Sequence, residues 1–392
     1  MIRGIPASCV AMGLLAAFVG YSASFAIVLA GLTSMGASEA QAATGLFFAT
    51  LGMGVCSIWV PLVTRMPTAV AWSTPGAAFF AAAAAPPGGF AEAVGALIGC
   101  ACLIVVTGVV PALARLVSAI PKPIAGALLA GVLMPLCLAP ASALGTVPLS
   151  ILPVLAAWVA GLTWNRLAAM PLAVAAFVIV LALGVDLPDR ALMSVEPGLA
   201  EWTPVWPAFT LQGFVSLALP LYLVTMTGQN IPGFAVLELN GYGVDRGALI
   251  RRTGLAGLAI APFGGIPMNM SAITAAMMAG EDAGPDPARR YWAAVVSGLA
   301  YLALAVLAEP VTLLARAAPG ALIAGVAGLA LIPALVASLR VAFARLDQIE
   351  APALTFLVTS SGMTLGGIGG AFWGVVIGVA IWLVKAVANR RS

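Results

Sequence analysis

The sequence predicts an all-α integral membrane protein with fourteen transmembrane segments, arranged as two inverted repeats of seven spans. Three observations carry that expectation. The 392 residues are 62% hydrophobic and 8% charged, with a mean hydropathy of +1.11, so the apolar surface must meet lipid or other helices. Apolar stretches near the ~20 residues needed to cross a bilayer recur along the chain. A heptapeptide, Gly126-Ala127-Leu128-Leu129-Ala130-Gly131-Val132, returns 194 positions later as Gly320-Ala321-Leu322-Ile323-Ala324-Gly325-Val326.

In order, the first seven spans fall at residues 8–34, 43–63, 70–84, 90–113, 122–139, 149–165 and 167–184, forming a repeat over 1–185. A polar, Pro-rich external connection follows over 186–207. The second repeat, 208–392, places its spans at 208–237, 249–263, 265–279, 288–309, 318–339, 349–363 and 369–388. The start of the chain is read as a retained first span, because its apolar run continues past signal-peptide length without a cleavage pattern. With the N-terminus in the cytoplasm, fifteen of the seventeen basic residues fall on that side, all but Arg190 and Arg316. An error of one span would reverse every later loop, so this asymmetry supports the count and puts both termini inside.

Several function classes are disfavoured. The chain has no His, and its five Cys are scattered through apolar stretches, so neither a transition-metal site nor a disulfide framework is implied. No cofactor is expected. The positive charge is spread over short loops rather than gathered on a face, which argues against nucleic acid. Lys occurs only at 122 and 385, and no Gly-rich Lys loop suggests ATP-driven pumping. A channel would want a charge ring or continuous polar lining, and an enzyme a nucleophile with its base; neither is visible.

Other repeat matches follow in order. At an offset of 209, Phe25 to Val28 meets Phe234 to Leu237, and Thr44-Gly45-Leu46 meets Thr253-Gly254-Leu255; at 199, Pro153 meets Pro352. At 194, Ser73 to Ala77 faces Pro267 to Ser271. Seven spans is an odd number, so the second copy enters from the opposite side. Inverted repeats are the architecture of alternating-access transporters, whose substrate lies near the midplane at broken helices.

The third span of each half supplies the break. Val70 to Phe80 has a β-prone start, then Pro75-Gly76, then an Ala-rich run; Pro75 disfavours helix at Thr74 and suits the first helical turn after it. Gly264 to Met278 has the same plan, with Ser271 as N-cap. Two half-helices in inverted copies aim their N-termini at each other, each with roughly half an elementary positive charge and unpaired N–H groups. That arrangement suits a small anion without Arg or Lys in the hydrocarbon. Near it, Thr225 to Phe234 sets Gln229, Asn230 and Pro232 inside an apolar span, with Gly20 to Phe25 as its mate. Gln and Asn at such depth either bond neighbouring helices or line a cavity. For Phe25, Trp72 and Phe234, ordinary packing competes evenly with an aromatic wall.

Thr227-Gly228-Gln229-Asn230-Ile231-Pro232-Gly233, the Gly264 to Asn269 stretch and Phe356 to Gly362 resemble the benzoate/proton symporter family of bacterial inner membranes, often called BenE. The resemblance spans nearly the whole chain and is similar in plan to uracil and xanthine permeases and sulfate-type anion carriers. It implies a core domain holding the first and third spans of each half, and a gate domain holding the fifth to seventh. The heptapeptides then fall in the gate, and a gate-to-gate homodimer is allowed without being demanded. The implied activity is import of benzoate or a similar small aromatic carboxylate with protons; the same fold could carry a nucleobase or an inorganic anion instead. The substrate-binding set is Ser24, Phe25, Trp72, Ser73, Thr74, Gly76, Thr227, Gln229, Asn230, Met268, Asn269, Met270 and Ser271, with Phe25, Trp72, Met268 and Met270 offering a slot for the ring. Similar nucleobase permeases carry acids in the eighth and tenth spans, where this chain has Gln229, Asn230 and Asn269. The loss suits an anionic ligand. Glu238, Glu309 and Glu350 lie near span ends, leaving Glu238 or the substrate itself to carry the proton.

Overall fold

Each apolar stretch of the sequence contains helix in the computed structural model, which describes residues 5–184, 202–308, 312, 318–344 and 348–388. Arg3, Arg190, Glu309, Arg316, Arg345, Arg390, Arg391 and most of the 186–207 connection lie outside the described residues. The first stretch forms α1 (Ala7–Ser22) and α2 (Phe25–Ser34), one apolar run of 28 residues interrupted at Ala23-Ser24. Ser24 leaves helical geometry (φ −146°), and its hydroxyl donates to the Gly20 carbonyl at 2.8 Å, occupying an acceptor the interrupted ladder frees. Helix α3 (Glu39–Thr64) opens on a capping box in which Ser38 and Gln41 bond reciprocally.

Then come β1 (Val70–Trp72), α4 (Thr74–Ala82) and α5 (Gly89–Val109). The structure ends α5 at Val109 and turns into a separate helix, α6 (Pro111–Ser118), one-sidedly apolar and mostly surface-lying, where the sequence suggested a span running to residue 113. Pro111 removes an N–H and starts the new helix at its first turn. Next are α7 (Lys122–Cys137), α8 (Ala139–Thr146), α9 (Pro148–Trp164) and α10 (Ala169–Gly184).

Helix α11 (Leu211–Leu239) is continuous but widens into π-turns at Phe214–Ala218 and Met226–Asn230. It leads to α12 (Arg246–Ile260), β2 (Met268–Met270), α13 (Ala272–Ala279), α14 (Tyr291–Ala305), α15 (Gly320–Ala342) and α16 (Glu350–Ser360). A hairpin of β3 (Thr364–Leu365) and β4 (Ile368–Gly369) precedes α17 (Gly370–Ala388). Its tight turn uses Gly366 and Gly367 at φ +62° and +77°, a conformation that side chains resist.

Among the described residues, six helical runs are long and apolar enough to cross a membrane: Ala7–Ser34, Glu39–Thr64, Gly89–Val109, Lys122–Thr146, Leu211–Leu239 and Gly320–Ala342. Shorter apolar helices accompany them. Large apolar side chains such as Leu14, Phe18, Leu149 and Trp206 point outward, while Trp72, Tyr222, Phe80 and Phe234 are fully buried. A surface this apolar belongs in lipid. This is a mostly helical membrane protein.

The helices pack as two groups. In one, α14 lies on α1 and α3, α12 on α5, α4 on α2 and α13 on the last turns of α11; in the other, α15 and α16 lie on α7, α9 on α10 and α17 on α16. The groups meet chiefly where α4 crosses α7. The heptapeptides sit in α7 and α15, which pack on each other. A Cβ at Gly131 would stand 2.6 Å from Thr359 Cβ, and one at Gly325 would stand 2.8 Å from Ile151 Cδ1, so small residues there do permit close approach.

Their offset does not set the register of the halves. Strands β1 and β2, the N-cap positions Ser73 and Ser271, the N-cap prolines Pro121 and Pro319, and the in-helix prolines Pro135 and Pro333 are all 198 residues apart, not 194. The four-residue discrepancy is about one helical turn, which leaves a Gly/Ala/Leu pattern on nearly the same face.

Candidate functional site

The two extended pieces beside the Pro and Gly breakers are partners. Strands β1 and β2 pair antiparallel, with Val70 opposite Met270, Ala71 opposite Asn269 and Trp72 opposite Met268. Flanking bonds extend the ladder, from Ser73 N to Pro267 O at 2.8 Å and from Ser271 N to Ala69 O at 2.9 Å. The backbone groups that two non-helical segments expose are thereby satisfied deep in the protein. Helices α4 and α13 start immediately after the strands, so their N-termini flank one small sheet.

These two N-termini are finished differently. Ser73 caps α4, its Oγ accepting from Gly76 N at 3.0 Å and sharing a 2.7 Å hydrogen bond with Thr225 Oγ1. Helix begins at Thr74, with Pro75 in its first turn, one residue earlier than the pre-proline rule suggests. Ser271 occupies the N-cap position of α13, but its hydroxyl accepts from Thr274 Oγ1 at 2.8 Å and makes no cap bond. This corrects the capping role expected of Ser271: the nearby Thr274 hydroxyl competes for it. The first N–H groups of α13 therefore lack a side-chain partner.

Most of the expected site residues gather around this sheet. Trp72 Nε1 donates to Ser24 Oγ at 2.9 Å, and the Tyr21 ring stacks on Phe25 at 5.8 Å while tilting against Trp72 at 5.6 Å. Asn230 Oδ1 accepts from Met270 N at 2.9 Å, and its Nδ2 reaches Met226 Sδ at 3.2 Å. A Cβ on Gly233 would stand 2.7 Å from Met270 Cβ, so Gly lets α11 lie against β2. Trp72, Ser73, Asn230, Met268, Asn269 and Met270 are all buried.

Asn269 Nδ2 donates to Met270 O at 3.0 Å, yet its Oδ1 is buried with no partner, as is the Tyr21 hydroxyl. Such groups are uncommon and point to a bound molecule or water. Thr227 spends its hydroxyl on Leu223 O at 2.7 Å within its own helix. Gln229 is half-buried on the π-turn and makes no side-chain hydrogen bond to a described residue. Beside it, Gly228 stands near both Leu129 of α7 and Pro75 of α4, where the two helix groups meet. Thr74 is half-buried and Gly76 closely packed, with Leu221 Cδ1 2.6 Å from where its Cβ would stand.

Glu238 lies elsewhere. It is near the end of α11, about 12 Å along the helix from Asn230, and holds Arg246 in a two-pronged ion pair of 2.8 and 2.7 Å, with 37% of its side chain exposed.

The sequence reading passed over Glu92. This residue of the first turns of α5 is buried, accepting from Gly88 N at 2.8 Å and from the Thr210 hydroxyl. It borders a cavity of about 240 Å³ between the helix groups, walled by α4, α5, α7 and the start of α11 and roofed by the β3–β4 hairpin. Gln212 Nε2 and Ser216 Oγ both donate to Gly367 O, at 3.0 and 3.1 Å, fastening that roof. An acid beside Gly88-Gly89 in a helix's first turns reads as an end cap, which hid it.

Paired strands each launch a short helix inside a bundle of membrane-length apolar helices, and the chain's family makes this multi-pass membrane protein a transporter, not an enzyme. The fold is shared with solved structures: the transmembrane domain of a cyanobacterium bicarbonate transporter, BicA (TM-score 0.60, 15% identity, 96% of this chain and 97% of that chain), and murine Slc26a9, an anion transporter in the inward-facing state (0.60, 12%, 99% and 69%). The family model for the benzoate membrane transport protein, BenE, matches residues 4–384, and the chain belongs to that family. It is 36% identical over 392 residues to the inner membrane protein YdcO of Escherichia coli K12, covering 99% of this chain and 98% of that one. It is 30% identical over 372 residues to the benzoate membrane transport protein of Acinetobacter baylyi, covering 95% and 93%.

Proposed function

We propose that this protein imports benzoate, or a similar small aromatic carboxylate, together with protons across the bacterial inner membrane by alternating access. The observation that carries the reading is the β1–β2 joint, where α13 starts without a side-chain cap, the buried Asn269 Oδ1 has no partner, and Trp72, Met268 and Met270 share the other face of the sheet. Free N–H groups and the helix dipole favour a carboxylate without a buried cation, and the apolar wall suits a ring. Gln229 and Thr227, on the π-turn facing α7, serve the same ligand from the other side. Ser24, Ser73, Thr74, Gly76, Asn230 and Ser271 hold the frame.

In this reading the chain crosses the membrane fourteen times, as inverted repeats over 1–185 and 208–392 joined by an external connection. The α4-bearing group is the core that carries substrate, and the α7-bearing group is the gate and the face for any homodimer. Both termini are cytoplasmic. The basic residues Lys122 and Arg340, which border one recess, and Arg65, which reaches Tyr291, lie at the inner end. The hairpin end is external. Glu238 is then a carboxyl at the inner mouth, available to a proton.

Proteoliposome uptake of labelled benzoate under an inward proton gradient tests the reading: uptake should rise with the gradient and resist competition by uracil, sulfate and bicarbonate. Strong competition by bicarbonate or sulfate would favour an inorganic anion, the second reading suggested by the fold's neighbours. Asn269→Ala should lose most uptake; normal uptake by it would sink the site assignment.

A further inference from the structure

We infer that Glu92 takes up the coupling proton, in the cavity under the β3–β4 hairpin, as a carboxylate substrate enters that cavity. The inference rests on the benzoate reading and adds where the proton binds. Glu92 is buried, borders the cavity and forms no ion pair with a described residue. Each of its oxygens accepts one hydrogen bond, Oε2 from Gly88 N and Oε1 from the Thr210 hydroxyl, and each keeps a lone pair for a proton.

Among the described residues, no basic side chain borders the cavity. The walls contribute few other titratable groups. On α5, Cys100 and Cys102 lie two or more turns further along, and Cys137 is at the end of α7. On α11, Tyr222 bonds Thr107 toward the far end of α5. Arg246, Arg251 and Arg252 of α12 belong to that far end as well, where Gly108 adjoins Arg251. Glu39 is exposed at the start of α3. The segment from Ala82 to Gly89 and the hairpin carry none, and Glu350 and Lys385, on α16 and α17, pair with each other away from the cavity.

Two like charges in one low-dielectric cavity repel strongly, so an anion enters on favourable terms only when Glu92 is neutral. The step balances without breaking a bond in the ligand. One proton from the adjoining water binds a Glu92 oxygen as one carboxylate anion passes through this cavity toward the β1–β2 joint, so proton and anion enter together without net charge. Proton and substrate then help each other by the same factor, as linkage requires. A purely structural Glu92, one that only ties Gly88 and Thr210, would show no such reciprocity.

The test counts protons. Purified protein in weakly buffered detergent is titrated with benzoate between pH 5.5 and 8, while a pH indicator records uptake. Wild type should take up about one proton per benzoate near neutral pH, with its apparent Kd rising by up to about tenfold per pH unit. Glu92→Gln keeps one acceptor oxygen for Gly88 N–H and turns its amide NH2 to the Thr210 hydroxyl, which can accept it; it should take up none, give a flat Kd profile and lose more than tenfold in gradient-driven accumulation. Glu92→Asp should restore the proton count. Proton uptake by Glu92→Gln equal to wild type overturns the inference, as does loss of uptake in Glu238→Gln but not in Glu92→Gln. Should Glu92→Gln fail to fold, the wild-type count still decides, because benzoate binding without proton uptake refutes it. Absence of benzoate binding by wild type would instead refute the benzoate reading.

Discussion

Asn230 and Gln229 are adjacent on one π-turn and should fail in opposite ways when truncated. Asn230 is fully buried, and its Oδ1 is the acceptor for Met270 N at 2.9 Å. In Asn230→Ala that N–H loses its partner where no water replaces it, a cost of about 1–3 kcal/mol. At about 2 kcal/mol the folding equilibrium falls roughly 30-fold. Asn230→Leu refills most of the volume but not the bond, so it should recover little stability. Gln229 is half-buried without a side-chain hydrogen bond, and Gln229→Ala should stay within about 0.5 kcal/mol of wild type. Its benzoate uptake should nevertheless fall at least tenfold. Reversible unfolding in mixed micelles, followed by tryptophan fluorescence, gives the stabilities, and proteoliposome uptake gives the transport. Asn230→Ala as stable as wild type, or Gln229→Ala as unstable as Asn230→Ala, would refute the division between frame and ligand contact.

Ser73→Ala removes the α4 cap and the Thr225 partner together, and should cost about 1–2 kcal/mol in the same unfolding assay. Gly131→Val drives side-chain atoms against Thr359 Cβ and Phe356 O, which lie 2.6 and 2.9 Å from the new Cβ position, and should cost about 1–3 kcal/mol by pushing α7 from α16. The double change Gln212→Ala with Ser216→Ala frees the hairpin; alkylation of a cysteine introduced by Met363→Cys should quicken, and an unchanged rate would show that these two bonds do not hold the roof. Glu238→Gln breaks a solvent-exposed ion pair and should change stability by less than about 1 kcal/mol.

The extended pieces Val70–Trp72 and Met268–Met270 were legible because Pro75-Gly76 and Gly264-Gly265-Ile266-Pro267 are strong local signals. That the two extended pieces pair with one another was not, since nothing local links Val70 to Met270. Recurring segments were visible, but the heptapeptide's offset of 194 differs by about one helical turn from the 198 residues that separate β1 from β2. Gly, Ala and Leu recur too often to mark a position, whereas Pro121 with Pro319 and Pro135 with Pro333 fix it through backbone constraints. The polar cluster at Asn230 and Asn269 was recognised by its cost in an apolar span, yet its division into satisfied and unsatisfied atoms needed the tertiary contacts of β2. Glu92 escaped because its buried partner, Thr210, comes from a distant segment. Helix α6 escaped because its apolar residues continue those of α5 without a polar gap.

The β1–β2 pairing also bears on how the chain is made. Val70 to Trp72 leaves the ribosome almost two hundred residues before its partner strand, and until then three residues of extended backbone lack their ladder. Hydrocarbon offers no substitute for the missing bonds. Synthesis of the first half must therefore end in an unfinished intermediate, held in water or by an insertion factor until β2 arrives. Neither half should mature alone, and two separately expressed halves should assemble only if they are inserted within each other's reach.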